Sequence, residues 1–156
     1  MLNLRNILYP TDFSDLSRCA LPYAVRMARQ FESQLHCLHV LDETYQYWLG
    51  ASDNVAPTIV PTDEIRAAAQ QHMKEFVDKH LSDDYERVVS KLVVGRPFLE
   101  IIRYSRENSI DMIVIATHGH GGLTSVLLGS VTEKVIRKSP CPVLTVRHPE
   151  HKFEMP

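Results

Sequence analysis

The stretch Asp111-Met112-Ile113-Val114-Ile115-Ala116 is an apolar run that leads directly into the glycine-rich segment Thr117-His118-Gly119-His120-Gly121-Gly122. A short apolar run bounded by turn signals is typical of a buried strand in a parallel sheet. The next motif is Gly129-Ser130-Val131-Thr132-Glu133, where Ser130 as N-cap and Glu133 three residues later form the capping-box pattern that starts a helix. A strand, a glycine-rich loop and a helix in this order predict an α/β fold.

Apolar runs and helical periodicities alternate along the rest of the chain. The other predicted strands are Asn6–Tyr9, Gln34–Leu41, Arg87–Val94 and Pro142–Val146. The predicted helices begin after Ser14, at Thr62, after Gly95 and at Ser130. This βαβαβαβαβ order predicts a flavodoxin-like doubly wound five-stranded parallel sheet with helices on both faces. Ligands of such sheets bind outside the carboxyl ends of the strands, where the strand order reverses.

Length and composition limit the classes of function. A chain of 156 residues predicts one domain over residues 1–156, and the irregular stretch 42–61 within it is a candidate flap. Lys and Arg number 17 against 19 Asp and Glu and are scattered, so we expect no nucleic-acid partner. No apolar run is long enough to span a membrane, and we expect a cytoplasmic protein. Three widely spaced cysteines, Cys19, Cys37 and Cys141, favour reduced thiols over a disulfide framework or a zinc site.

The glycine-rich loop has the chemistry of an anion site. Its glycines allow backbone N–H groups to turn toward one point, and the helix that starts at Ser130 adds free N–H groups and a partial positive charge. The hydroxyls of Ser130 and Thr132 would also favour phosphate oxygens. The residues alone leave a plain alternative open, a tight surface loop followed by an ordinary helix start. Because the loop lacks lysine and the P-loop ending, fast nucleotide hydrolysis is not expected.

With these motifs, the chain resembles the universal stress protein family. In the ATP-binding branch of that family the loop reads Gly, two residues, Gly, nine residues, then Gly with Ser or Thr, and Gly119, nine residues and Gly129-Ser130 are similar to it. Ala116 stands where that pattern has its first glycine. The stretch Ile7–Ser14 resembles the family's first strand and the acidic turn after it, so the likeness covers essentially the whole chain.

The resemblance implies the adenine nucleotide alpha hydrolase-like form of this fold and an adenine nucleotide site, with no catalytic residue assigned. It implies that Asp12 contacts the ribose or a bound magnesium ion, although an aspartate after a strand is by itself more typical of a turn. The implied ligand is ATP, or AMP or ADP, with Mg as an optional partner. The adenine would be bordered by Pro10, Thr11, Val40 and Ile115, and the phosphates would be held by Gly119, Gly129, Ser130, Val131 and Thr132.

The resemblance also implies a homodimer formed through the last strand, Val143 to Val146. An edge strand there would expose unpaired backbone groups that a second copy can pair, and the alternative is that the tail from Arg147 to Pro156 shields the edge. The function expected is that of a homodimeric, nucleotide-responsive stress regulator with at most slow ATP hydrolysis or autophosphorylation. Substituting Gly119 or Gly129 with a bulky residue is expected to abolish binding and leave the fold intact.

The motifs argue against several other functions. A Ser-His-Asp hydrolase and a dinucleotide-binding enzyme lack their glycine signatures in this sequence. A phosphoacceptor receiver domain needs an aspartate at the end of the third strand, where the chain has Val94-Gly95. His118 and His120 could each add a hydrogen bond to phosphate or face water, and His36 and His39 are expected to be packed or at the surface. A dimeric interaction module of the same fold that binds no nucleotide remains the alternative.

Overall fold

The computed structural model describes residues 3–42, 62–81, 85–119 and 128–149. Among these residues the strands are β1 (Asn6–Pro10), β2 (Gln34–Asp42), β3 (Val88–Gly95), β4 (Met112–Ala116) and β5 (Val143–Val146). The helices are α1 (Asp15–Arg18), α2 (Leu21–Phe31), α3 (Asp63–His80), α4 (Pro97–Glu107) and α5 (Ser130–Lys138). Three parts of the chain lie outside the described residues: the predicted flap 42–61 except Asp42, which ends β2, most of the glycine-rich loop, and residues 150–156 of the tail.

The five strands form one parallel sheet in the order β3-β2-β1-β4-β5. The predicted doubly wound five-stranded sheet is confirmed, and its strand order is 3-2-1-4-5 rather than the 2-1-3-4-5 of flavodoxin itself. From β1 the chain builds outward to β3, then crosses back to place β4 on the other side of β1. The strand order therefore reverses between β1 and β4, which is where ligands of such sheets bind.

Helices cover both faces of the sheet because the strand residues alternate between two cores. One core is formed with α2 and α3 and includes Ile7, Tyr9, Leu35, Cys37, Val114, Ala116, Ala24, Ala28, Met73 and Phe76. The other is formed with α4 and α5 and includes Leu8, Leu38, Ile113, Ile115, Ile101, Tyr104 and Val135. This alternation decides which side chains at the strand ends can reach a common ligand.

The helix boundaries follow local sequence signals. The Ser14 side chain caps α1 by accepting a hydrogen bond from the N–H of Ser17 at 3.1 Å, and α1 ends before Pro22, which occupies the first turn of α2. Thr62 caps α3 in the same way, accepting from the N–H of Ile65 at 3.3 Å. Within the described residues no helix has the length and apolar character needed to cross a membrane.

Candidate functional site

The crevice between β1 and β4 brings Asp12 and Gly119 together. Asp12 follows β1, and its Oδ1 accepts hydrogen bonds from the N–H of Ser14 at 3.0 Å and from the Ser14 hydroxyl at 2.5 Å. Its Oδ2 lies against Gly119, so closely that a Cβ at residue 119 would overlap it. Asp12 is thus both a turn-former and a carboxylate at the reversal point, and any side chain at residue 119 would force its Oδ2 to move.

Pro10 and Thr11 build the turn beneath Asp12. Pro10 is the buried last residue of β1. The Thr11 hydroxyl accepts from the N–H of Phe13 at 3.0 Å and shares a hydrogen bond with the Ser17 hydroxyl at 3.1 Å, and only 6% of Thr11 is exposed. The Thr11 side chain is therefore committed to the β1–α1 turn that carries Asp12.

The N-terminus of α5 is attached to the end of β4 through Gly129. The Gly129 N–H donates to the Thr117 carbonyl at 2.7 Å, and a Cβ at residue 129 would lie 3.0 Å from that oxygen. The predicted capping box is wrong, because Gly129 is the N-cap and no side chain caps this helix. With Gly129 as N-cap, Glu133 is the fourth residue of the helix, whereas a capping box needs the third. The Glu133 carboxylate instead pairs with Arg137 at 3.1 Å.

The predicted phosphate ligands of α5 divide into backbone and side-chain roles. The N–H groups of Ser130, Val131 and Thr132 lie in the first turn, where a helix offers no carbonyl acceptor. The buried Thr132 hydroxyl donates to the Ala116 carbonyl at 2.8 Å, so that proton is committed to the β4 end. Ser130 is exposed, and its hydroxyl is the side-chain donor that this helix end can offer.

Val40 and Ile115 lie on the α4 and α5 face of the sheet. Ile115 is buried in the core on that face, and Val40 packs against the same core while partly exposed. Ala116 belongs to the opposite core, although its carbonyl accepts from Thr132. Of the residues that the sequence assigns to adenine, Val40 and Ile115 therefore lie on the same face of the sheet as α5, whereas Pro10 and Thr11 belong to β1 and the turn after it.

A cavity opens from the same crevice toward α3, with a volume of about 730 Å³. Its lining residues are Asp12, Phe13, Ser14, Asp15, Leu16, His39, Leu41, Ala69, His72 and Gly119. It shares Asp12 and Gly119 with the predicted site, but Phe13, His39 and His72 were missed as site residues. The His39 ring nitrogen Nδ1 is 2.8 Å from the Thr11 carbonyl, an acceptor, so Nδ1 carries the proton. The alternation of β2 could have placed His39 on this face, whereas nothing local indicates that His72 comes from α3.

The other histidines and the cysteines have structural positions. His118 is buried and its Nδ1 is 3.1 Å from the Thr117 hydroxyl, while His120 lies outside the described residues. His36 is buried, as predicted for a packed residue. All three cysteines are free thiols, in agreement with the prediction. The described ranges hold no group of three His, Cys, Asp or Glu side chains that could bind a metal ion.

The charge distribution of the crevice favours a ligand with two different ends. The Asp12 carboxylate repels phosphate but accepts hydrogen bonds from hydroxyls, and a single carboxylate together with phosphate oxygens is a common ligand set for Mg²⁺. The first turn of α5 offers N–H groups and the positive end of the helix dipole, which attract anions. The two features are joined by residues 117–119, since Thr117 holds Gly129 and Gly119 faces Asp12.

Comparisons with known proteins agree with this architecture. Universal stress protein MJ0577 of Methanocaldococcus jannaschii is 33% identical over 153 residues, covering 92% of this chain and 94% of the relative. Its solved structure has a TM-score of 0.71 at 31% identity and covers 96% of this chain and 99% of that one. The structure of universal stress protein UspA from Lactobacillus plantarum has a TM-score of 0.76 at 26% identity, and the match covers 94% of this chain and 100% of that one.

A further family member shares the fold at lower identity. It is a universal stress protein from Archaeoglobus fulgidus in complex with dAMP, with a TM-score of 0.63 at 22% identity, covering 93% of this chain and 98% of that one. The model of the Universal stress protein family matches residues 3–147, nearly the whole chain. This chain therefore belongs to the universal stress protein family.

Proposed function

We propose that the chain, as a single domain, binds an adenine nucleotide, ATP in the first place, in the crevice between β1 and β4 and acts in the cytoplasm as a homodimeric, nucleotide-responsive regulator. The observation that carries the proposal is the contact between Asp12 and Gly119 at the point where the strand order reverses. A methyl group at residue 119 would overlap Asp12 Oδ2. The glycine therefore lets the carboxylate lie directly against the backbone of the loop that is proposed to hold the nucleotide.

Different residues would bind different parts of the nucleotide, according to their chemistry. The Asp12 carboxylate would accept from the ribose hydroxyls or join the phosphates around Mg²⁺. The N–H groups of Ser130, Val131 and Thr132, with the Ser130 hydroxyl, would hold phosphate oxygens. Val40 and Ile115 supply apolar surface on the same side of the sheet. The dAMP complex of the Archaeoglobus fulgidus protein supports the choice of an adenine nucleotide, because that protein has the same fold.

A regulator fits the site better than a turnover enzyme. No lysine occurs between Ala116 and Ser130, so the loop has no side chain to neutralise charge that develops on a transferred phosphoryl group. Mg²⁺, when bound, would supply part of that charge stabilisation. Slow hydrolysis of ATP or autophosphorylation is the most that this set of residues supports.

The test is nucleotide binding by the wild-type chain and by Gly119→Val. Adenine nucleotide should be released when the purified wild-type protein is denatured, and saturating Mg-ATP should raise its Tm by roughly 5–10 °C, the effect expected at about 100 times the Kd. Gly119→Val should keep its fold and lose the rise, because the side chain would overlap Asp12. Gln70→Ala, an exposed position on α3, is the control that should bind normally.

Two results would contradict the proposal. Wild-type protein that carries no nucleotide and shows no ATP-induced rise in Tm would favour the alternative function, an interaction module that works through dimerisation alone. Ala116, standing where the ATP-binding pattern has glycine, is the observation that keeps this alternative in view. Normal binding by Gly119→Val would instead show that the nucleotide lies elsewhere.

A further inference from the structure

Phe13 has a backbone conformation that aromatic residues rarely adopt. Its φ of 65° lies in the left-handed region, which is unfavourable for a residue with a bulky side chain. The conformation allows two hydrogen bonds across the turn, from the Phe13 N–H to the Thr11 hydroxyl and from the Ser14 N–H to Asp12 Oδ1, both at 3.0 Å. The orientation of the Asp12 carboxylate thus depends on the backbone at residue 13.

The Phe13 ring is held between two imidazoles. The ring centroids of Phe13 and His39 are 4.2 Å apart, those of Phe13 and His72 are 4.5 Å apart, and each pair is inclined by 29°. Phe76 packs against the same ring at a tilt, with centroids 5.3 Å apart. Stacked rings at these separations attract each other beyond the effect of burial alone. The contacts offset the unfavourable φ and hold the turn in one conformation.

The two imidazoles belong to different elements. His39 lies on β2 and is fixed by its hydrogen bond to the Thr11 carbonyl, so it belongs to the sheet. His72 lies on α3, a helix that supplies none of the residues assigned to the nucleotide. The stack, together with Phe76 on the same helix, therefore connects α3 to the turn that carries Asp12.

We propose that Phe13 is a positioning residue, which through its stack between His39 and His72 fixes the Asp12 carboxylate for the nucleotide and makes affinity depend on the position of α3. The inference rests on the proposed function and deepens it, because it assigns the regulation of that same site. Phe13 needs no contact with the nucleotide for this role. A ligand or partner that moves α3 would change nucleotide affinity through His72 and Phe76, the two α3 side chains whose rings contact Phe13.

The test is a double-mutant cycle with ATP affinity measured by calorimetry. Phe13→Ala and His72→Ala should each weaken ATP binding by about tenfold in the wild-type background and by less than about twofold in an Asp12→Asn background, because both act through that carboxylate. Phe13→Tyr and His72→Phe preserve the stacked rings and should bind like wild type. Gln70→Ala is the control for α3. Equal losses in both backgrounds would overturn the proposal.

A second readout needs no nucleotide and keeps the two proposals separate. Hydrogen exchange of the Ser14 amide, which donates to Asp12 Oδ1, should accelerate in His72→Ala, while the amide of Val114 in the sheet should be unchanged. His72 is exposed, so this variant should fold. If wild-type protein fails to bind ATP, the proposed function is refuted and the exchange measurement alone decides the role of Phe13. Unchanged exchange at Ser14 would overturn that role.

Discussion

Asp12 has two roles that substitutions can separate. Its Oδ1 accepts two hydrogen bonds from Ser14, which shape the turn, and its charge faces the crevice at Gly119. Asp12→Asn keeps an Oδ1 acceptor and removes the charge, whereas Asp12→Ala removes both. Loss of a charge-assisted hydrogen bond or of a metal ligand should weaken Mg-ATP binding by about tenfold or more in both variants. Only Asp12→Ala should also lower the Tm.

Calorimetric titration with ATP in the presence and absence of Mg²⁺ distinguishes the two ligands suggested for Asp12. A weakening that appears only with Mg²⁺ would assign the carboxylate to the metal, and an equal weakening in both conditions would assign it to the ribose. Wild-type affinity in Asp12→Asn under both conditions would leave Asp12 as a turn residue alone.

The junction of β4 and α5 is more important for stability than a surface loop would be. Gly129 is the N-cap and packs against the Thr117 carbonyl, so Gly129→Ala should destabilise the fold by roughly 1 kcal/mol or more, from a poorer cap and a crowded contact. A bulky substitution at Gly129 should therefore cost stability as well as binding. Urea unfolding at equilibrium measures the effect, and a Gly129→Ala variant as stable as wild type would contradict it.

Ser130→Ala is the matched variant one residue later. Ser130 is exposed and its side chain caps nothing, so the substitution should change the free energy of unfolding by less than about 0.5 kcal/mol. If its hydroxyl holds phosphate, ATP affinity should still fall several-fold, by the worth of one hydrogen bond. Unaltered affinity would restrict the contribution of α5 to its backbone N–H groups.

The elements differ in how far the sequence predicts them. β4 was predictable because a buried parallel strand is apolar throughout, and the start of α3 because Thr62 has local capping chemistry. The cap of α5 was misplaced by one residue, since Gly129 and Ser130 are both acceptable caps and the choice is made by the Thr117 carbonyl, a tertiary contact. His72 was missed for the same reason, because its contact with Phe13 joins residues 59 positions apart, a separation that no local pattern encodes.

The molecule as a whole should lose stability in mild acid through His36. This buried imidazole is 2.9 Å from the Tyr104 hydroxyl and 3.4 Å from Asn6 Oδ1, an arrangement that satisfies the neutral ring. Burial lowers the pKa of His36 below its usual 6.5. Because the unfolded chain then binds a proton more readily than the folded one, the stabilisation is present above pH 6.5 and is lost as the pH falls below it.

The role of His36 in acid stability can be measured by urea unfolding of the wild type and of His36→Asn at about pH 7.5 and about pH 5.5. The variant should be less stable than wild type at the higher pH, because it leaves Tyr104 poorly paired. Its loss of stability on acidification should be smaller than that of wild type. If acidification lowers the free energy of unfolding equally in both proteins, groups other than His36 cause the loss of stability in acid.

Dimerisation is the property of the whole molecule that the sheet edge should control. The Pro142 and Val146 carbonyls accept from the N–H groups of Ile113 on β4 and of Thr117 just after it. By the two-residue period of a strand, the backbone groups of Val143 and Thr145 therefore point away from β4, at the outer edge of the sheet. Thr145→Pro removes one outward N–H without touching the β4 ladder, and should raise the dimer Kd by about tenfold or more if two β5 strands pair. Thr145→Ala keeps that N–H and should remain dimeric.

Sedimentation equilibrium at micromolar concentration measures the oligomeric state of the wild type and of both variants. A monomeric wild type would refute the dimer, and a dimeric Thr145→Pro would show that the interface does not involve β5.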